Sequence, residues 1–164
     1  MSYFSPHDFS KDTERGLEIL KNKSQAARFV GLDVGKKTLG LAISDARALI
    51  ASPLRTLKRA KFGPLMEALQ KSLTPYEVCG FVTGLPLHMD GSESIRSQAS
   101  RAFAVNLEEA LSLPVLFWDE RLSTAAATWS LHEAGLARTR HKERVDSIAA
   151  ALILEGFLDA LHTR

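Results

Sequence analysis

Three acidic positions stand where acids are costly. Asp33 ends the apolar run that opens "RFVGLDVGKKTLGLAISD". Asp119 and Glu120 close a second apolar run in "PVLFWDERLST". Asp146 lies in "ERVDSIAAALILEGFLDALH", a helical pattern. At 100° per residue, Ile153 falls about 20° to one side of Asp146, Phe157 about 20° to the other and Ala150 about 40° away. Asp146 therefore faces along the apolar stripe, whereas Ser147 and Glu155 lie well off it. Each acid also has an ordinary structural reading. The amides of Gly35 and Lys36 can satisfy Asp33, and Arg121 can pair with Asp119 or Glu120. Asp146 can be a first-turn acid that favours a helix N-terminus. That last reading explains its place along the helix but not its inward direction.

An ionised carboxylate in an interior is expensive unless it is paired or bound to a metal. Three acids gathered at one sheet edge repel one another and hold protons more tightly, unless a divalent cation neutralises them. Oxygen ligands with no helpful cysteine suit Mg²⁺ or Mn²⁺. One or two such ions can clamp the attacking water and the leaving oxygen of a phosphodiester. Ser44 and Thr83 have no neighbouring base, so the pattern does not favour a protein nucleophile.

The elements that must position these acids can be read from periodicity. Residues 29–34 form a continuous apolar run, as in a strand covered on both faces. A short turn at 35–37 and a second run at 38–44 require an antiparallel hairpin. A third strand is expected at 52–57, a helix at 62–73 and a buried strand at 78–84. Asp90 and Glu93 have capping-box spacing, which predicts a helix over 93–111. A fifth strand follows at 114–118. Ser123 or Thr124 can cap a helix that runs to about Ala134 and ends at Gly135. A basic loop and a last helix, 143–162, complete the chain. The expected fold is α/β: a mixed five-stranded sheet, hairpin first and parallel strands after, with helices on both faces. Residues 1–28 read as an N-terminal extension, frayed or loosely docked as a helix, with a small amphipathic patch at Leu17, Ile19 and Leu20. Residues 29–164 read as one domain.

Bulk composition sets the outer limits. The chain has 164 residues, 45% apolar and 24% charged, which suits one ordinary globular domain. Its single cysteine, Cys79, excludes an internal disulfide and fits a reducing cytoplasm. No run is long enough to span a membrane, and the first 28 residues contain no apolar signal segment. The net charge of +2 does not by itself argue for a polyanion partner. The charge distribution is more telling, with basic clusters at Arg55, Lys58, Arg59 and Lys61 and at Arg138, Arg140, His141, Lys142 and Arg144. Singly these read as solvated surface. Beside an acidic metal site they can hold a phosphate backbone. Lys36 and Lys37, next to Asp33, fit either reading. Trp118 and Trp129 read as packing residues.

"GLDVGKKTLGLAISD", "VTGLPLHMDGSES", "WDERLSTAAA" and "RVDSIAAALILEGFLD", in this order and spacing, resemble the YqgF/RuvX family of Holliday-junction resolvases and pre-ribosomal-RNA nucleases. The resemblance covers about residues 29–160. It implies a ribonuclease H-like fold and an acidic metal site. The first-strand acid maps to Asp33, the DER acid to Glu120 or Asp119, with preference for Glu120, and the last-helix acid to Asp146. The implied catalytic set is Asp33, Glu120 or Asp119, and Asp146, with Asp33, Glu120 and Asp146 holding Mg²⁺ or Mn²⁺. His88 replaces the family's usual Asn in the loop expected to line the substrate groove. Lys36, Lys37, His88, Arg121, Arg138, Arg140, Lys142 and Arg144 are the candidate nucleic-acid contacts. The implied task is processing the 5′ end of pre-16S rRNA, with resolution of four-way DNA junctions as the alternative. The sequence leaves a monomer and a dimer both open.

Two other classes compete. An acid followed by glycine after a first strand, and then a hairpin, also opens the actin-like sugar kinases and chaperone ATPases, but those need two such domains. A non-catalytic RNA-binding ribosome-assembly factor could keep the same fold. It would bind RNA without regard to divalent cation or to the acids.

Overall fold

The computed structural model describes residues 6–122 and 138–163, with side chains for all of these except 138–144. Its elements in chain order are α1 (Phe9–Asn22), β1 (Arg28–Val34), β2 (Thr38–Ser44), β3 (Ala51–Lys58), α2 (Phe62–Leu73), β4 (Val78–Leu85), α3 (Ile95–Leu111), β5 (Val115–Asp119), a 3₁₀ turn (Glu120–Leu122) and α4 (Arg138–His162). The five strands form one sheet in the order β3-β2-β1-β4-β5. β1 pairs antiparallel with β2, and β2 with β3. β4 pairs parallel with both β1 and β5. This is the mixed sheet, hairpin first and parallel strands after, that the hairpin and the later strand-helix-strand units imply.

β1 reads as an unbroken apolar run because both of its faces are covered. Val30 and Leu32 point into one core with Leu39, Leu41 and Phe81, closed by Leu65 and Leu69 of α2 and Phe103 and Leu107 of α3. Phe29 points into the other with Ala42, Val82 and Leu116, closed by Ala150, Ile153, Leu154, Phe157 and Leu158 of α4. Trp118 packs on α4, where a Cβ on Gly156 would stand 2.7 Å from its Nε1.

Three local expectations are corrected. α3 starts at Ile95, and its N-cap is Ser94, reciprocated by Ser97. Asp90 is not the cap because its carboxylate closes its own turn, accepting from the Ser92 amide at 2.9 Å. Glu93 instead pairs with Arg101 at 2.6 Å. α4 starts at Arg138, not near residue 143, so the second basic stretch is helical backbone and not a loop. Ser147, expected well off the apolar stripe, is buried, because β2 and β3 also pack against α4 and widen its covered face. The helix expected between Ser123 and Ala134, and Trp129 within it, lie outside the described residues.

The N-terminal segment contains a docked helix. Leu17, Ile19 and Leu20 pack against the α4-side core, and a Cβ on Gly16 would lie 2.5 Å from the Phe157 ring. Asp12 accepts from the Phe117 backbone amide of β5 at 3.0 Å, and His7 sits 2.6 Å from the same carboxylate. Two residues earlier, the Val115 amide donates to Glu108 at 3.3 Å, and Arg15 of α1 reaches that same glutamate at 3.0 Å. Asp12→Ala should leave the Phe117 amide without an acceptor and lower stability by about 1–2 kcal/mol. Urea unfolding monitored by tryptophan fluorescence measures the loss, and an unchanged midpoint would show the bond to be dispensable.

Candidate active site

Asp33 lies near the carboxyl end of β1, directly opposite Gly40 on β2. That glycine is required, because a Cβ there would stand 2.0 Å from the Asp146 carbonyl oxygen. α4 therefore crosses the hairpin with Asp146 laid against the Asp33–Gly40 pair. Asp146 is the ninth residue of its helix, beyond the first turn in which a helix dipole stabilises an acid. Its carboxylate has a specific donor instead, the Thr38 hydroxyl at 2.5 Å.

Glu120 arrives from the other side, immediately after β5. The next strand inward is β4, where a Cβ on Gly84 would meet Glu120 Oε1 at 2.3 Å. The missing side chain at Gly84 thus makes room for Glu120 to lie across the sheet toward Asp33. The two DER acids part here because β5 ends at Asp119 and Glu120 enters the 3₁₀ turn that carries it over Gly84. Asp119 is buried and held by Arg121, with Nε at 2.9 Å and Nη2 at 2.6 Å, and it also accepts from the Arg121 amide at 3.0 Å. Arg121 Nη1 reaches the Met89 carbonyl at 3.2 Å, so this pair fastens the 86–94 loop to the end of β5.

The electrostatics follow from this placement. Burial, with the neighbouring Asp146 charge, pushes Asp33 up to about 6. Burial, with Asp33 and Asp119 as further repulsive charges, pushes Glu120 up to about 7. Arg96 pulls both down but does not restore them. The site thus holds more negative charge than its own cation compensates. Its donors are all hard oxygens, the chemistry that Mg²⁺ or Mn²⁺ accepts. Among the described residues, no group of three or more His, Cys, Asp or Glu side chains stands close enough together to hold a metal ion. The donor set and its uncompensated charge fit a divalent cation.

The remaining candidates are distributed around this centre. Lys36 and Lys37 are exposed on the β1–β2 turn. Arg59 braces that turn by donating to the Gly35 carbonyl at 2.9 Å. His88 is exposed on the 86–94 loop, which is closed by its amide to the Ser92 carbonyl at 2.9 Å. Arg138, Arg140, Lys142 and Arg144 lie in the first two turns of α4, with side chains outside the described residues. Asp45 is a turn residue, accepting from the Leu49 and Ile50 amides at 2.7 and 2.9 Å. Sequence reasoning missed Thr38, Gly40, Gly84 and Arg96. A glycine inside an otherwise buried strand signals close approach, which was available for Gly40 and Gly84. Thr38 and Arg96 had no comparable local signal.

Half-buried Asp33 and Glu120, with Asp146 beside Asp33, thus lie at one end of a mixed five-stranded α/β sheet. Residues 27–160 match the RuvX family, described as Holliday junction resolvase. The chain belongs to that family. It is 53% identical over 131 residues to a Rhodobacter capsulatus protein named "Putative pre-16S rRNA nuclease", covering 80% of this chain and 82% of that protein. A Zymomonas mobilis protein of the same name is 52% identical over 159 residues, covering 91% and 97%. Among solved structures, T. thermophilus RuvC in complex with a Holliday junction substrate superposes with a TM-score of 0.48 at 16% identity, covering 84% of this chain and 97% of that one.

Proposed function

We propose that this chain is a metal-dependent nuclease that hydrolyses phosphodiester bonds in precursor 16S ribosomal RNA, processing its 5′ end in the cytoplasm. The observation that carries the reading is Asp33 with Asp146 on one side and Glu120 on the other, from a helix and a strand end, and with Asp33 and Glu120 both pushed above their ordinary values. Relatives about half identical over most of the chain carry the corresponding name. Asp33, Glu120 and Asp146 would hold one or two Mg²⁺ or Mn²⁺ ions, which supply charge neutralisation and an activated water. The chain's own residues do the rest. Thr38 fixes the Asp146 carboxylate. The Asp119–Arg121 pair holds the strand end from which Glu120 projects and anchors the loop bearing His88. Lys36 and Lys37 contact phosphate beside Asp33, and the basic first turns of α4, Arg138, Arg140, Lys142 and Arg144, track the backbone further out. No helix among the described residues is long and apolar enough to cross a membrane.

A second reading, resolution of four-way DNA junctions, is favoured by the description of the matching family. One assay separates the two. Labelled precursor 16S RNA ends and four-way DNA junctions are offered in parallel with Mn²⁺ and with chelator. Metal-dependent cutting of the RNA alone is the expected result, and cutting of the junction alone would replace it with the resolvase. Binding of RNA with no cutting under any metal would overturn both in favour of a ribosome-assembly factor.

A further inference from the structure

Arg96 is the second residue of α3. A guanidinium in the first turn of a helix opposes the macrodipole, so helix formation does not account for it. The start of α3 is nonetheless firmly placed. The Ser94 hydroxyl donates to the Pro86 carbonyl at 2.6 Å, just past the end of β4, and Ser97 returns a bond to the Ser94 amide at 2.7 Å. The helix therefore begins at the carboxyl end of β4, next to the Gly84 gap that Glu120 fills. Arg96 is exposed, and its field reaches both Asp33 and Glu120.

Other arginines around this end of the sheet are committed to protein partners. Arg59 is taken by Gly35, Arg101 by Glu93 and Arg121 by Asp119. Arg96 forms no ion pair or hydrogen bond among the described residues. A polyanion that enters a site lined by carboxylates needs a cation placed to receive it. A guanidinium offers the planar fork that matches phosphate oxygens. The Lys36–Lys37 turn lies on the β2 side of Asp33, and Arg96 approaches from the β4 side.

We infer that Arg96 contacts the substrate directly, its guanidinium taking a non-bridging oxygen of the phosphodiester held between Asp33 and Glu120. The inference rests on the nuclease reading for the identity of the phosphodiester, but its test can be scored separately.

The experiment compares wild type, Arg96→Met and Arg96→Lys on a labelled RNA spanning the precursor 16S 5′ end. Cleavage is measured at saturating RNA with Mn²⁺. Binding is measured in chelator across a salt series, and circular dichroism verifies folding of these surface variants. Arg96→Met should lower cleavage about 10²–10³-fold, and Arg96→Lys should recover part of it. The slope of log affinity against log salt should become shallower by about one for Arg96→Met, as for any lost phosphate contact. Reduced cleavage with an unchanged slope would overturn the contact and leave Arg96 acting only through the acids. Wild-type cleavage and slope in Arg96→Met would overturn it outright while the nuclease reading stands. A slope lowered by one in a protein that cuts nothing would support the contact and sink the nuclease reading.

Discussion

Asp33→Asn, Glu120→Gln and Asp146→Asn should each lower metal-dependent cleavage by about 10³-fold, equivalent to about 4 kcal/mol of lost transition-state stabilisation. RNA binding in chelator should remain within a few-fold of wild type, because these substitutions remove no cation from the proposed phosphate-binding face. The effects should not add. If the three carboxylates act as one metal-holding unit, Asp33→Asn combined with Asp146→Asn is little worse than either alone. Asp119→Asn makes an informative contrast. Its carboxylate is turned into the Arg121 pair, so its loss weakens the β5 terminus and the 86–94 loop and should show mainly as reduced thermal stability. Single-turnover cleavage and unfolding curves on the four variants measure both quantities. Full activity in both Asp33→Asn and Asp146→Asn would refute the assignment.

The second large effect concerns the protein without metal. Folded Asp33 and Glu120 hold protons up to about 6 and about 7, against ordinary values of 3.8 and 4.5. Between those limits the folded chain carries more protons than the unfolded one. Its stability therefore falls as pH rises through that window, and the penalty is complete above about pH 7. After a discount for the partial exposure of both side chains, the loss is about 2 kcal/mol between pH 4.5 and pH 8. Glu120→Gln should flatten much of this slope and raise the melting temperature at pH 8, even as it lowers cleavage. Saturating Mg²⁺ should do the same for wild type by neutralising the charge. Melting curves in chelator from pH 4.5 to 8.5 test this, and a wild-type stability that rises over that range contradicts the repulsion.

The strands and the inward acids were legible because both are statements about burial. Residues 29–34 are apolar without alternation because β1 is covered twice, and Asp33 is conspicuous there because nothing else in the run is charged. Asp146 was legible for the same reason, as one acid on a stripe otherwise made of Ala150, Ile153 and Phe157. The different settings of Asp119, paired with Arg121, and of Glu120, laid over Gly84, were not legible, since they depend on where β5 gives way to its 3₁₀ turn. Helix starts failed for a related reason. Several residues near each boundary can cap, and tertiary partners decide among them, as Arg101 does by claiming Glu93. Thr38 and Arg96 acquire meaning only from residues more than twenty positions away.

The Asp12–Phe117 and Glu108–Val115 bonds bear on how this chain stays apart from its own copies. β5 is an outer strand, and its outward amides would otherwise be free to template pairing with another chain. Two carboxylates occupy them, one supplied by α1 and the other steadied by it through Arg15. The opposite rim is blunted differently, by Pro53 within β3 and by the charges of Arg55 and Lys58. The family match begins at residue 27, after α1 has ended. Trimmed to its family core, this chain would keep Asp33, Glu120 and Asp146 and the Glu108–Val115 bond, but would lose the Asp12 carboxylate and the Arg15 brace, leaving the Phe117 amide of its outer strand open.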